Sequence, residues 1–395
     1  MQQYILFDDS AWGKLLPLTF TRPVSEIRIG ILTIREKWEK FLGTEFSFLT
    51  QDYLSEKYPL KTGSSNTFIN GSVLPTVALS QAIKSLQPGE CLKHESVLIA
   101  YNTVQPQKEV PSDLSAFKNV IEFSESFLKI DHPWQIFSNN RVALTADFEL
   151  LTKGRKSAPL SNTNRVSGAE NIFLEEGAKV EFSIINATTG PVYIGKDAEI
   201  MEGSIVRGPF ALCEGSALKM GAKIYGPTTI GPYSKVGGEV NNSVLFAYSN
   251  KAHDGFLGNS VLGEWCNLGA DTNNSNLKNN YEEVKVWSYV EERFISTGLQ
   301  FCGLIMGDHS KSGINTMFNT GTVVGVSANI FGDGFPRNFI PSFAWGGAQG
   351  YMVYKPEKAF RTAELVYDRR GMKLSVSEKS ILVKVFEMEE KYRRF

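Results

Sequence analysis

The sequence predicts an α/β N-terminal domain with a mostly parallel sheet, followed by a left-handed parallel β-helix of six-residue repeats and C-terminal helices. Three observations carry this prediction. Ile194, Ile200, Val206, Leu212, Leu218, Ile224, Ile230 and Val236 are aliphatic residues spaced by six without a break. Before them, in residues 1–135, short apolar runs alternate with segments of helical spacing, the pattern of an α/β layer. After residue 355 the apolar spacing becomes helical to the end of the sequence. An amphipathic helix repeats at three and four and an exposed strand at two, so neither accounts for the sixes.

The elements follow in order. Residues 4–7 read as a buried strand, 27–42 as a helix, and 46–49 and 67–70 as strands. Residues 78–86 read as a helix ended by Pro88 and Gly89, and 97–100 as a strand. Residues 131–151 bridge, with helix expected from Val142, and the polar tract 155–166 reads as an exposed connector. The expected domains are therefore residues 1–150, 165–350 and a helical tail, 355–395.

In the repeat region each six-residue unit supplies one short strand and one corner, and three units close a coil. The aliphatic residue points inward onto its counterparts above and below. No coil buries its core alone, so the stack must be cooperative. The same period is read at Ile172, Ala178 and Ile184, at Phe256, Leu262 and Leu268, and at Phe318, Val324 and Ile330. Residues 272–298 break it with Asn, Lys and Glu and read as a projecting loop, where such a scaffold is expected to place function. The tail has a first helix over 355–370 stopped by Gly371 and a second opening with Ser375 and Glu378 in capping-box relation. It is expected to cover the last coil or to serve as an oligomer contact.

Composition narrows the function classes. Lys and Arg total 41 against 42 Asp and Glu, so no global field steers the chain toward nucleic acid or an anionic membrane. The four cysteines form no CxxC pair, which speaks against zinc and for reduced thiols. The opening MQQYILFDDS lacks the form of a signal peptide, and no run of about 18 apolar residues occurs. The expected location is the cytoplasm.

One segment carries chemistry. Lys251-Ala-His-Asp-Gly-Phe-Leu-Gly258 is followed by Asn267-Leu-Gly-Ala270 and by Asn276. A histidine is the side chain best suited to accept a proton near pH 7; the plain alternative is a solvent-facing corner residue. The fourteen-residue spacing of His253 and Asn267, with the surrounding motif, resembles the bifunctional N-acetylglucosamine-1-phosphate uridylyltransferase/glucosamine-1-phosphate N-acetyltransferase family, and more closely its shorter sugar nucleotidyltransferase-like relatives. The resemblance implies acetyl-CoA as co-substrate and an amino-sugar phosphate or nucleotide sugar as acceptor. It makes His253 the general base, places Asn267 and Asn276 at the sugar, and sets Ala270 beside the acetyl-CoA arm. Arg207 and Lys235 would match phosphate-holding basic residues. Phe256 stands where the family has a sugar-contacting Tyr, and the tract from Asp271 departs from the family's, which leaves the acceptor sugar open. The family also implies a homotrimer with each site between neighbours.

At the N-terminus, Leu15-Leu-Pro-Leu-Thr19 and Thr21-Arg22-Pro23 resemble the same family's nucleotide-binding motifs. Lys14 would replace the loop arginine and Arg22 the substrate lysine, while Asp8 and Asp9 put negative charge where a triphosphate would lie. Phe68-Ile-Asn-Gly-Ser72 resembles the strand whose Asp holds Mg²⁺, with Ser72 in its place, and Asn139 and Asn140 resemble the asparagines that assist that metal. Three functions thus stand open: acyl transfer, Mg²⁺-dependent nucleotidyl transfer onto a sugar-1-phosphate, and a non-catalytic sugar-nucleotide-binding scaffold.

Overall fold

Residues 2–395 are described by a computed structural model, which divides into two compact units. The first takes residues up to Leu15, Thr21–Ile27 and Leu32–His132; the second takes Leu16–Phe20, Arg28–Ile31 and Pro133–Phe395.

In the first unit, the apolar end of β1 (Gln2–Phe7) buries Ile5, Leu6 and Phe7 at the centre of a six-stranded sheet. With β2 (Ser47–Leu49), β3 (Ser65–Asn70), β4 (Glu90–His94), β5 (Val97–Thr103) and β6 (Asn119–Glu122) the order is β2-β1-β3-β5-β4-β6. Pairs β1–β2, β1–β3 and β4–β6 are parallel; β3–β5 and β4–β5 are antiparallel, so the mostly parallel sheet is mixed on one side. A single turn, α1 (Ala11–Lys14), follows β1. The helix expected from residue 27 begins later, as α2 (Ile34–Leu42). Thr33 accepts from the Glu36 amide at 3.2 Å while the Glu36 carboxylate accepts from the Thr33 amide at 2.7 Å, a capping box that fixes the start. Gly30, at φ 73°, lies outside helical space just before it. Thr76 caps α3 (Val77–Ser85).

The second unit begins with α4 (Pro133–Ser138) and α5 (Asn140–Thr152). Then the coils start at Arg165–Ser167, at the end of the polar tract 155–166: this strand pairs in register with Ile184–Asn186. Three parallel faces build the solenoid, and beyond Phe256–Gly258 the first gives way to a separate parallel pair, Asn273–Asn274 with Met317–Phe318. The first has six strands from Arg165–Ser167 to Phe256–Gly258, the second nine from Ile172–Leu174 to Phe339–Ile340, and the third ten from Lys179–Val180 onward. All ladders are parallel except the closing hairpin Ala344–Gly347 with Gly350–Val353 on the third face.

The eight sixfold residues all point inward, one face after another: Ile194, Leu212 and Ile230 on the second, Ile200, Leu218 and Val236 on the third, Val206 and Ile224 on the first. Each buried aliphatic contributes roughly 1.5–3 kcal/mol of transfer free energy, and the core is one continuous cluster from Ile172 to Ala344. Two phases shift. The inward residues are Ile185, not Ile184, which is 45% exposed, and Leu257, not Phe256. Phe318, Val324 and Ile330 are inward as expected. The interrupting segment is an antiparallel hairpin, Lys285–Ser288 with Arg293–Ser296, and it does not project: Trp287 stacks on Phe339 at 4.4 Å and meets Tyr392 edge-on.

The corners between the second and third faces carry a ladder of rings. Tyr233, Tyr248 and Trp265 have φ between 57° and 61°, unusual for bulky residues. Stacking offsets part of that strain: centroids are 5.3 Å apart for Tyr233–Tyr248 and 4.2 Å for Tyr248–Trp265. The tail does more than cap. The first helix, α6 (Pro356–Asp368), lies along this ladder with Tyr367 stacked on Trp265 at 4.0 Å. Near the last coil, α7 (Val376–Met388) packs Phe386 on Phe343, and the following Glu389 accepts from the Ser342 amide at 2.5 Å. Among the described residues no helix is long and apolar enough to cross a membrane.

Candidate functional site

The segment singled out by sequence is the corner between the third and first faces, just after the strand Asn250–Lys251. Lys251 pairs with Val236 in the inward column, so an ammonium occupies a position that neighbouring coils give to aliphatics. It is 1% exposed, and its Nζ donates to the His253 carbonyl at 2.5 Å. Burial pushes the ammonium down to about 8, against the opposing pull of Asp254 and Asp271. The interior stays polar in the next coil: Thr272 Oγ1 is 2.9 Å from Ser312 Oγ, and Asn274 Oδ1 accepts from the Gly258 amide at 2.9 Å. The corner that carries His253 is thus pinned from inside by hydrogen bonds, and the imidazole itself is solvent-exposed with no hydrogen bond from a described residue. Gly255, at φ 115°, closes the turn within 2.2 Å (ideal Cβ to carbonyl oxygen) of Thr272, so no side chain fits there.

His253 opens onto a cleft of about 630 Å³ on the third face. Lys235, Asn250, Asn267 and Ala270 line its floor, and Val366, Arg369 and Arg370 at the end of α6 form the opposite wall. Four residues named from sequence, His253, Asn267, Ala270 and Lys235, therefore share one cavity. Three others do not line it. Phe256 and Asn276 meet on the first face, where a Cβ on Gly258 would lie 2.5 Å from the Phe256 ring and 2.7 Å from Asn276 Nδ2. Asn276 donates to Asn259 Oδ1 at 2.8 Å. Arg207, exposed on the first face, pairs in register with Asn186 and does not reach the cleft lining. No residue of 272–298 lines the cleft either, so the expectation that this segment carries the site is not met at the cleft. Sequence reasoning missed Arg369, Arg370 and Asn250. The arginines sit at the end of a helix read as a cap or an oligomer contact, and no spacing ties that helix to residue 253.

In the first unit the residues after β1 and β3 form a compact polar cluster. Asp8 accepts from the Val24 amide at 2.8 Å and from Thr50 Oγ1 at 2.5 Å, yet burial pushes its carboxyl up to about 7. Burial also raises Asp9, but the nearby Lys129, at 3.1 Å, with Asn70 and the Ala11 amide, outweighs it and holds this carboxyl low. The negative charge at Asp9 is thus met by a lysine of the chain itself. Lys14 stands near His132, and Arg22 is buried. Ser72 is fully buried with its hydroxyl donating to Asn70 Oδ1 at 2.6 Å.

Asn139 and Asn140, expected to assist a metal, are both hydrogen-bonded within the chain. Asn140 Oδ1 accepts from the Gly30 amide at 2.7 Å, and its Nδ2 donates to the Pro227 carbonyl at 2.8 Å and to Thr229 Oγ1 at 3.1 Å. This buried amide ties α5 to the second face of the solenoid. Asn139 Nδ2 donates back to the Gln135 carbonyl at 3.0 Å. Among the described residues no three His, Cys, Asp or Glu side chains converge as a metal site would need.

Comparison with known proteins bears out the resemblance read from the sequence. Residues 4–156 match the family model described as sugar nucleotidyl transferase. Over 214 residues the chain is 31% identical to the bifunctional sugar-1-phosphate nucleotidylyltransferase/acetyltransferase of Sulfurisphaera tokodaii, covering 54% of this chain and 46% of that protein. Over 210 residues it is 27% identical to the bifunctional protein GlmU of Methanococcus maripaludis, covering 53% and 44%. The chain thus spans about half the length of the curated relatives it matches. Among solved structures, a UDP-N-acetylglucosamine acyltransferase of Francisella novicida aligns at 12% identity over 59% of this chain and 76% of that one, with a TM-score of 0.28.

Proposed function

We propose that the chain is an acyltransferase that moves an acetyl group from coenzyme A to the amine of an amino-sugar phosphate or nucleotide sugar. The observation that supports this most is the convergence of His253, Asn267, Ala270 and Lys235 on one cleft of about 630 Å³, a volume within the range of small-molecule sites. In this reading the acceptor nitrogen attacks the thioester carbonyl carbon and a C–N bond forms. The His253 imidazole takes the proton from that nitrogen. The tetrahedral intermediate then breaks its C–S bond, and the coenzyme A thiolate leaves and takes up the proton. Asn267 orients the acceptor amine, and Lys235 supplies positive charge to the phosphate-bearing part of a ligand. The names of the relatives, which include nucleotidylyltransferase/acetyltransferases, agree with this class.

The test is His253→Ala in the full chain. With a general base removed, kcat/KM for acetyl transfer should fall by about 10²–10⁴ while thermal melting stays unchanged; undiminished turnover would remove the base. A homotrimer acting in the cytoplasm, in cell-envelope biosynthesis, goes with this proposal. Exposed Ile184, Ile205 and Met220 give the solenoid apolar surface for symmetric association.

A second reading, nucleotidyl transfer onto a sugar-1-phosphate, is favoured by the match over residues 4–156. The residues expected to hold its Mg²⁺ do not fit that ion: the Ser72 hydroxyl is buried against Asn70, and the Asn140 amide is engaged with Gly30, Pro227 and Thr229. Pyrophosphate release from a nucleoside triphosphate and a sugar-1-phosphate would carry that reading; binding of acetyl-CoA and UTP by neither half would favour the scaffold.

A further inference from the structure

Arginines at the C-terminal end of a helix are ordinary, because they complement the negative end of the helix macrodipole. Arg369 and Arg370 differ from that pattern in where they face. They line the His253 cleft across from Lys235, and no carboxylate is among the lining residues. No ion pair engages Lys235, Arg369 or Arg370 among the described residues. Arg370 lies over the Tyr248 ring, its guanidinium carbon 5.8 Å from the centroid, so one face is covered while its edge is left for hydrogen bonding. The wall is rigidly placed: Tyr367, two residues before Arg369, is 3% exposed and stacked on Trp265. On the floor, Asn250 lines the cleft, and its Oδ1 is buried with no hydrogen-bond partner among the described residues.

We infer that α6 is a working wall of the site rather than only a cover: Arg369 and Arg370, with Lys235 opposite, bind the phosphate groups of the ligand whose reacting end lies at His253. This deepens the acyl-transfer reading and rests on it. It also means that the cation-bearing side of the cleft is completed by the same chain, through its own tail. A phosphate dianion or diphosphate here would meet three cations in a partly desolvated cleft, and a guanidinium edge can donate two parallel hydrogen bonds to it. Burial lowers the Arg370 guanidinium, with Arg369 adding to that effect, so a bound anion relieves an existing electrostatic cost.

Two sources of phosphate fit this chemistry, the coenzyme of the acyl donor and the amino-sugar phosphate, and the test separates them. Full-length Arg369→Gln, Arg370→Gln and the double variant are titrated calorimetrically with coenzyme A, with phosphate-free pantetheine and with glucosamine-1-phosphate, after thermal melting shows each folded. Coenzyme A binding is expected to weaken about tenfold per arginine, with a shallower salt dependence, while pantetheine binding is unchanged. Loss confined to glucosamine-1-phosphate would keep the anion subsite and assign it to the acceptor. Wild-type affinity of the double variant for both phosphates, or no binding of either by the wild-type chain, would overturn it. Acetyl transfer distinguishes this from the activity itself: wild-type KM values in the double variant sink the subsite and leave the transferase, whereas arginine-dependent coenzyme A binding without transfer does the reverse.

Discussion

A lysine turned into an apolar column needs a partner for its ammonium, and for Lys251 the partner is the carbonyl of His253. That bond joins the core of the coil to the turn that would carry the base, so Lys251 acts as a positioning residue. Lys251→Met fills the column but releases the turn; kcat should fall by about tenfold or more, in line with the sensitivity of catalysis to small displacements, while the coil survives. The titration gives a second readout. The folded ammonium is lowered to about 8 from the ordinary 10.5, so between those values the unfolded chain binds more protons than the folded one. Wild-type stability should therefore rise relative to Lys251→Met as pH goes from 8 to 10.5, measured as the difference in urea-unfolding free energy. A difference that stays flat across the window would show that the ammonium is not desolvated. The grouping of His253, Asn267 and Ala270 at one cleft was anticipated by the resemblance of their local motif. The inward direction of Lys251 was not, since the coil from Val236 to Lys251 takes 15 residues where that from Leu218 to Val236 takes 18, and the strict six is lost there.

Helix α6 was expected over 355–370 and is found at Pro356–Asp368, but its partner surface was hidden. The docking groups, Tyr248 and Trp265, are corner residues seventeen positions apart, and their stacking depends on the register of successive coils, which local sequence does not state. The interrupting segment illustrates the same gap: its polar composition suggested a projecting loop, whereas Val284 and Val286 are buried and Trp287 packs on the last coil. Tyr367→Ala tests the docking of α6. Removing this buried ring should cost about 3–5 kcal/mol of local docking free energy, the usual range for aromatic truncation. Limited proteolysis near Gly371 should accelerate in that variant while the solenoid core stays protected from hydrogen exchange. Unchanged cleavage would mean that Trp265 and Tyr367 do not hold the helix.

Across the second unit, the stack behaves as one body because each coil's aliphatic residue is covered only by its neighbours. This is why eight residues spaced by six foretold the architecture while the cleft escaped: a repeat specifies a prism, but a site arises where the repeat is broken, at the inward lysine, the polar interior beside Thr272 and the appended helix. In the first unit the α/β order was legible from alternating runs, whereas the antiparallel pairing of β4 and β5 lay in a stretch without a strong period. The most direct measurement is a crystal structure of the full chain with coenzyme A. The thiol sulfur is expected within about 3–4 Å of the His253 imidazole, near reacting distance, with the phosphates against Arg369 and Arg370. Coenzyme A bound with its thiol remote from His253, or lodged outside the cleft between the third face and α6, would contradict it.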